Sequence, residues 1–164
     1  MKHKDDITKN ALAEPASAYD VSATNLFATT IGNAAREFNI TGSSYDILNA
    51  TRQGLPKRGL MALAKKISLT IQEFANILHI SERTLQRYDN DEIIKTEYAE
   101  KAVELARLYT RGEEVFGSLD KFKTWMKSPV HVFRGDTPVS LLDTSIGFDM
   151  VFKELGRIEH GIFA

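Results

Sequence analysis

Residues 70–89 read TIQEFANILHISERTLQRYD, and this stretch decides the fold. Thr70 stands three residues before Glu73, which is the spacing of a capping box. In that motif the N-cap hydroxyl accepts from the amide of the third helical residue, and the carboxylate of that residue accepts from the N-cap amide. Ser81 is a second helix-capping residue, and it follows a turn at His79. The stretch therefore predicts two short helices joined by a tight turn, as in a helix-turn-helix.

Small and apolar residues stand where two steeply crossing helices need them. Ala75 lies where the helices would touch, Ile80 would fill the space under the turn, and Leu85 and Tyr88 would face inward. His79 occupies a turn position that commonly holds glycine, because the backbone there tends to adopt a positive φ. Histidine tolerates that conformation better than most residues, at some cost.

The opposite face of the second helix carries polar groups that suit DNA. Arg83, Gln86 and Arg87 recur at i, i+3 and i+4, with Thr84 at the edge. Arginine can bond O6 and N7 of guanine, and glutamine can pair with adenine. Ser81 and the first amides of the helix can face a phosphate. A merely solvated charged face is the alternative, but the caps and packing positions in register favour DNA binding.

Charge is distributed unevenly along the chain, whose net charge is −1. Residues 55–95 hold seven basic and five acidic side chains, whereas residues 96–164 hold nine and eleven. This argues against a protein that coats nucleic acid with its whole surface, and it weakly supports a local contact in the middle. Four cations could hold flanking phosphates: Lys57, Arg58, Lys65 and Lys66.

Helical spacing continues through most of the chain, and few runs alternate with period two. We expect a helix that Thr96 caps and Gly112 ends, another that Ser118 caps, and a last one striped by Phe148 and Leu155. The predicted fold class is mostly α: a helix-turn-helix domain followed by a small helical domain. The predicted domains are an N-terminal arm with short helices of unknown role, the helix-turn-helix and the helical domain: 1–53, 54–95 and 96–164.

Composition excludes several classes of protein and site. The chain has 164 residues, 43% of them hydrophobic, and no cysteine, which excludes disulfides and thiolate metal sites. No apolar run is long enough to cross a bilayer. The first six residues, MKHKDD, lack the apolar segment of a secretory signal, so we expect a cytoplasmic protein without membrane association.

No catalytic constellation is visible in the sequence. A phosphate-binding loop, a dinucleotide-binding glycine motif and a nucleophile elbow are all missing. The four histidines are His3, His79, His131 and His160, and none forms an i, i+3 or i, i+4 pair suited to zinc. We therefore expect no enzyme, no metal and no cofactor.

From Gly54 onward, about two-thirds of the chain resembles antitoxins of the Xre/MbcA/ParS type. Any one motif is weak, but their order and spacing are specific. The residues that carry the resemblance are Glu114-Val115-Phe116-Gly117, Phe122 to Trp125, Ser128-Pro129, Gly135-Asp136-Thr137-Pro138, Leu141-Leu142-Asp143-Thr144, Gly147, Val151 and Leu155 to Gly161.

This resemblance implies two partners. The helix-turn-helix is expected to bind operator DNA of the shared operon. The C-terminal domain is expected to bind a RES-domain toxin that consumes NAD⁺, closing off its substrate pocket, and such antitoxins commonly dimerise. Residues 1–53 carry no resemblance that we can name.

A toxin-binding surface is expected to have an aromatic or arginine anchor, and Phe133 is one aromatic candidate. We predict that the charged groups of the tail meet the toxin's pocket mouth while its apolar groups pack beside them. Trp125 could instead be core, and Arg157 and Glu159 could pair internally. The predicted toxin contacts are Trp125, Arg157, Glu159, His160, Ile162 and Phe163.

A second reading of the same residues is a stand-alone transcription regulator. Its helix-turn-helix would bind DNA, and its C-terminal domain would only dimerise or sense a ligand. A neighbouring gene for a toxin-sized protein, and a stable complex on co-expression, would favour the antitoxin.

Overall fold

The computed structural model describes residues 44–161. The predictions for residues 1–43, and those for Ile162 and Phe163, lie outside the described residues. The described chain is mostly helical, as predicted. Its helices are α1 Ser44–Gln53, α2 Lys57–Lys66, α3 Ile71–Ile77, α4 Glu82–Arg87, α5 Thr96–Phe116, α6 Leu119–Met126 and α7 Ser145–Glu159, with 3-10 helices His131–Phe133 and Pro138–Leu141.

The capping box predicted at the start of α3 is confirmed. The Glu73 amide donates to Thr70 Oγ1 at 3.1 Å, and the Thr70 amide donates to Glu73 Oε2 at 2.7 Å. Ser81 likewise caps α4, since its Oγ accepts from the Thr84 amide at 3.0 Å. Both helices therefore begin where side chains satisfy amides that have no partner within the helix.

The turn between α3 and α4 also has the predicted geometry. His79 has a φ of 57°, and Ala75, Ile80 and Leu85 are buried. Its helical spacing from Phe74, Ala75 and Leu78 predicts that Ile71 also faces inward, and this is wrong, because Ile71 is 40% exposed. It is the first residue of α3, and the helix packs through its later turns instead.

Two short strands, which the sequence did not reveal, frame the helix-turn-helix. Leu55–Pro56 (β1) pairs antiparallel with Ile93–Ile94 (β2), and Leu55 lies opposite Ile94. Gly54, directly before β1, has a φ of 82°, and a Cβ there would lie 2.5 Å from the Ile94 carbonyl oxygen. Glycine is required at this close approach.

Helix α5 runs through the core of the whole described chain. The sequence analysis expected this helix to end at Gly112, and this is wrong. The helix continues to Phe116, and Gly117 ends it with a φ of 67°. Gly112 serves packing instead, because a Cβ there would meet the Phe122 ring at 2.4 Å. The N-cap is Lys95 rather than Thr96, whose hydroxyl donates to the Arg52 carbonyl. One hydrophobic cluster therefore joins the helix-turn-helix to the C-terminal helices.

The C-terminal helices α6 and α7 pack against α5. Ser118 precedes α6, but its side chain makes no capping hydrogen bond, contrary to prediction; its carbonyl accepts from the Phe122 amide instead. Helix α7 starts at a true cap, where Thr144 Oγ1 accepts from the Gly147 amide at 3.0 Å. None of the described helices combines the length and apolar character needed to cross a membrane.

Candidate functional site

Helix α4 presents its polar residues outward. Leu85 is the buried residue of this helix, whereas Arg83, Thr84, Gln86 and Arg87 are exposed. The residues predicted to read DNA therefore lie on an accessible face. Their contact with DNA stays a prediction.

The N-terminal end of α4 is ordered by hydroxyl groups. Ser81 Oγ and Thr84 Oγ1 lie 2.7 Å apart and share a hydrogen bond, and both residues are exposed. Ser81 therefore fixes the first turn of α4 and also stands at the accessible edge of the predicted DNA-reading face.

The C-terminal end of α4 is held by the start of α2. Lys57 Nζ donates to the Tyr88 carbonyl at 2.6 Å and to the Gln86 carbonyl at 3.1 Å. Arg58 forms an ion pair with Asp91. Two of the four residues predicted to bind phosphates, Lys57 and Arg58, thus lie beside the end of α4 and contact backbone carbonyls and a carboxylate of the protein. The other two, Lys65 and Lys66, lie in the last turn of α2.

Trp125 belongs to an aromatic cluster at the centre of the C-terminal helices. Its ring lies 5.7 Å from Phe122, 5.5 Å from Phe116 and 6.4 Å from Phe133, measured between centroids. Phe133 is buried, and Trp125 is partly buried. The contacts of Trp125 are those expected of a core residue.

Charged residues at the end of α7 find partners within the chain, but not each other. Glu159 pairs with Arg111 of α5, and Arg157 Nη1 lies 3.7 Å from Glu154 Oε2. The proposed Arg157–Glu159 pair is absent from the ion pairs of the described residues. His160 follows the helix as its C-cap and is exposed.

An outward stripe on α7 escaped the sequence analysis. Ile146 is 74% exposed and Met150 is 40% exposed, and Lys153, Arg157 and His160 continue the same face. These positions follow a spacing of three or four residues, which places them on one side of a helix. The signal was available, because the buried positions of α7 alternate with them at helical period.

The helix-turn-helix and the C-terminal helices meet at Glu73. Lys127 Nζ lies 3.5 Å from Glu73 Oε2 and donates to the Ser68 carbonyl at 2.6 Å. Burial alone would raise the pKa of the Glu73 carboxyl. The hydrogen bonds from Thr70 and the Lys127 ammonium outweigh that effect, so the pKa lies below its usual value of 4.5.

Tyr109 lies fully buried in α5, and its hydroxyl has no hydrogen-bond partner among the described residues. Burial raises the pKa of this phenol far above its usual value, and the nearby Glu73 charge adds to the effect. The group is neutral at physiological pH. Within residues 44–161, no cluster of histidine and carboxylate side chains is arranged to hold a metal ion. The expected lack of a catalytic site stays a prediction.

Two protein-family models match the chain. The Antitoxin Xre-like helix-turn-helix domain covers residues 46–107, and the Antitoxin Xre/MbcA/ParS C-terminal toxin-binding domain covers residues 111–161. The boundary between the two models falls within α5. The division that we predicted at residue 95 stays a prediction.

Curated proteins that are similar to this chain are named as antitoxins. Antitoxin Xre of Pseudomonas putida is 28% identical over 120 residues, covering 73% of this chain and 74% of that protein. Antitoxin Xre of Yersinia enterocolitica is 32% identical over 100 residues, covering 59% and 67%. A protein of Sphingobium named Prs ADP-ribosylating antitoxin is 25% identical over 134 residues, covering 69% and 80%. The chain therefore belongs to the Xre family of antitoxins, as an antitoxin of a toxin-antitoxin system with a helix-turn-helix domain and a C-terminal toxin-binding domain.

Proposed function

We propose that this antitoxin binds a RES-domain toxin, closes the active site in which that toxin consumes NAD⁺, and represses its own operon through α4. The single observation that carries the toxin half is the outward stripe of α7, defined as Ile146, Met150, Lys153, Arg157 and His160. It lies within the segment matched by the toxin-binding family model.

The stripe has the composition of a contact surface. Two large apolar side chains at i and i+4 face solvent, although α7 has a buried face that could hold such residues. Two basic side chains, Lys153 and Arg157, follow on the same face, and Arg157 also lies near Glu154. A pocket that accepts NAD⁺ must accommodate a diphosphate, and cations complement such a site.

Gly156 supports contact at the same helix. A Cβ at this position would meet no atom within 4 Å, so nothing in the fold requires glycine. Glycine inside a helix costs about 1 kcal/mol relative to alanine. Close approach of a partner's backbone is a reason to keep it there.

The name of the Sphingobium relative supports a partner that handles NAD⁺. That name refers to ADP-ribosylation, a reaction whose donor is NAD⁺. We extend the same cofactor chemistry to the toxin of this chain. The antitoxin itself is proposed to act by binding, without catalysis of its own.

The DNA half of the proposal rests on α4. Arg83, Gln86 and Arg87 are exposed on a helix whose buried side is fixed by Leu85. Their guanidinium and amide groups can bond base edges in a major groove. Thr84 and Ser81 lie at the leading end of this face. We place the protein in the cytoplasm, where its operator lies, as a homodimer within a larger complex that reads paired half-sites.

The toxin half is tested with the protein encoded beside this antitoxin. The purified toxin is incubated with NAD⁺, and the rate of NAD⁺ loss is followed as antitoxin is added. We expect the rate to fall to background at a fixed stoichiometric ratio. If NAD⁺ loss continues at saturating antitoxin, the inhibition proposal fails.

The DNA half is tested with a duplex from the region directly upstream of the gene. Its affinity should fall with salt, by about 0.9 log units per log unit of salt for each phosphate neutralised. Arg87→Met should weaken binding, whereas Lys121→Met, at an exposed lysine of α6, should not. Equal, salt-independent affinities for all three proteins would contradict the proposal.

A further inference from the structure

The first turn of α2 carries charges of the wrong sign for its position. Lys57 and Arg58 are its first two residues, and the turn has no acidic residue. The N-terminal end of a helix is its positive end, where cations are unfavourable. Lys57 and Arg58 therefore do not stabilise α2 through its helix dipole. Their function must follow from the groups that they contact in other parts of the protein.

The ammonium of Lys57 sits at the opposite kind of helix end. It donates to the Gln86 carbonyl, in the last turn of α4, and to the carbonyl of Tyr88, the C-cap. The last carbonyls of a helix have no partner within it and carry its negative end. Helix α4 has six residues, and about four carbonyls at a helix end have no partner within the helix. Lys57 therefore satisfies about half of the carbonyls at this end of α4.

The backbone on which Lys57 stands is itself fixed. Its amide donates to the Glu92 carbonyl at 3.0 Å, and the Arg58 amide donates to the Asn90 carbonyl at 2.9 Å. The pairing of β1 with β2 continues this contact by two residues. The segment that leaves α4 is thus tied to the start of α2 through the main chain, and Lys57 extends the tie to α4 itself.

We propose that Lys57 is a positioning residue for the DNA-reading helix: its ammonium holds the C-terminal end of α4 and so sets where Gln86 and Arg87 point. This inference rests on the proposed DNA binding by α4. It differs from the sequence-based expectation that Lys57 contacts a phosphate, and the two roles have different experimental signatures.

The first measurement needs no DNA. Amide hydrogen exchange in α4 is compared between the full-length wild type, Lys57→Met and a control, Lys65→Met. The control removes a cation from the last turn of α2, the helix that begins with Lys57. Lys57→Met should lower the protection of the α4 amides by about tenfold, because charge-assisted hydrogen bonds to two carbonyls are lost. Lys65→Met should leave it unchanged. Lys57→Arg should restore most of the protection, since it keeps the charge and the donors.

The second measurement uses two duplexes of equal length, one from the upstream region of the gene and one with a scrambled sequence. A positioning role predicts that Lys57→Met lowers the ratio of the two affinities by about tenfold and leaves scrambled-duplex binding and its salt slope unchanged. A phosphate contact predicts equal weakening on both duplexes and a salt slope smaller by about 0.9.

Unchanged α4 protection in Lys57→Met overturns the inference, and so does the phosphate signature. If the wild type binds neither duplex, the proposed DNA function fails, while the exchange experiment still decides whether Lys57 holds α4. Should Lys57→Met not fold, Lys57→Gln replaces it, since it keeps one donor without the charge. Protection equal to wild type in that variant would also overturn the inference.

Discussion

The ammonium of Lys127 donates to the carbonyl of Ser68 across 2.6 Å, linking the end of α6 to the turn that precedes α3. Ser68 has a φ of 60°, so this turn is conformationally demanding for a residue other than glycine. The same ammonium lies 3.5 Å from the Glu73 carboxylate of the capping box. The toxin-binding segment therefore touches the cap of the first helix of the helix-turn-helix.

This contact predicts that Lys127→Met destabilises the protein. The loss of a charged donor to a carbonyl should cost about 1 kcal/mol, which corresponds to a fall in melting temperature of about 3 °C. Calorimetry of Lys127→Met beside Lys121→Met measures the difference. Equal melting temperatures of Lys127→Met and the control would mean that the contacts of Lys127 with Ser68 and Glu73 do not stabilise the fold.

The depressed pKa of Glu73 predicts a dependence of stability on pH. A carboxyl whose pKa is lower in the folded state contributes stability above its unfolded pKa, which is near 4.5, and loses it as pH falls through the folded value. In Glu73→Gln this contribution is missing at neutral pH. The gap in unfolding free energy between the two proteins should therefore shrink as the pH falls below about 4.5. Denaturant titrations across this range check it, and a constant gap would contradict the ionic contribution.

Tyr109 predicts a stabilising substitution. Its buried hydroxyl has no partner among the described residues, and its ring packs edge-on against Phe122 at 5.1 Å. Tyr109→Phe keeps the ring contact and removes the cost of burying an unsatisfied hydroxyl, which is about 1–3 kcal/mol. We expect a melting temperature higher by about 3 °C. Destabilisation instead would mean that the hydroxyl has a partner in solution.

Two glycines of α7 should respond in opposite ways to alanine. A Cβ at Gly147 would lie 1.7 Å from the Leu141 carbonyl oxygen, whereas one at Gly156 meets nothing within 4 Å. Gly147→Ala should cost about 1–3 kcal/mol through overpacking against backbone. Gly156→Ala should stabilise the isolated protein by about 1 kcal/mol through helix propensity.

Chemical denaturation of both glycine variants measures these effects. If Gly156→Ala is more stable yet binds the toxin more weakly, the partner approaches this helix closely, as proposed. If Gly156→Ala leaves the toxin affinity unchanged, the proposed close approach of the toxin at Gly156 is wrong. Equal stabilities of the two variants would contradict the close contact between Gly147 and the Leu141 carbonyl.

Local signals in the sequence predicted the helix-turn-helix well. Thr70, Ser81 and His79 act within a few residues, so caps and turn geometry can be read from neighbours in the chain. Long-range packing was not readable. Gly112 resembles a helix stop until Phe122 is placed against it, and two-residue strands are too short to show alternation.

For the candidate surfaces too, features set by neighbouring residues could be predicted from the sequence, and contacts between distant residues could not. The outward residues of α4 followed from its helical period, because Leu85 fixes which side is buried. The partners of Lys57 and Glu159 lie tens of residues away in the chain, so their engagement could not be predicted. The aromatic neighbours of Trp125 are closer in the chain, and one of them, Phe122, lies three residues before it on the same helix. The other two belong to different elements, so their contact with Trp125 depends on how those elements pack.

The most direct test of the account is the dissociation constant of the toxin complex for Ile146→Asp, measured by calorimetry. Ile71→Asp is the matched control, since it places the same charge at an exposed isoleucine of the helix-turn-helix. A carboxylate buried in an apolar contact costs several kcal/mol, and we expect the dissociation constant to rise at least about 100-fold, the equivalent of about 2.8 kcal/mol. Ile71→Asp should bind like wild type. A dissociation constant for Ile146→Asp equal to that of wild type, with the fold intact, would contradict the claim that α7 presents the toxin-binding surface.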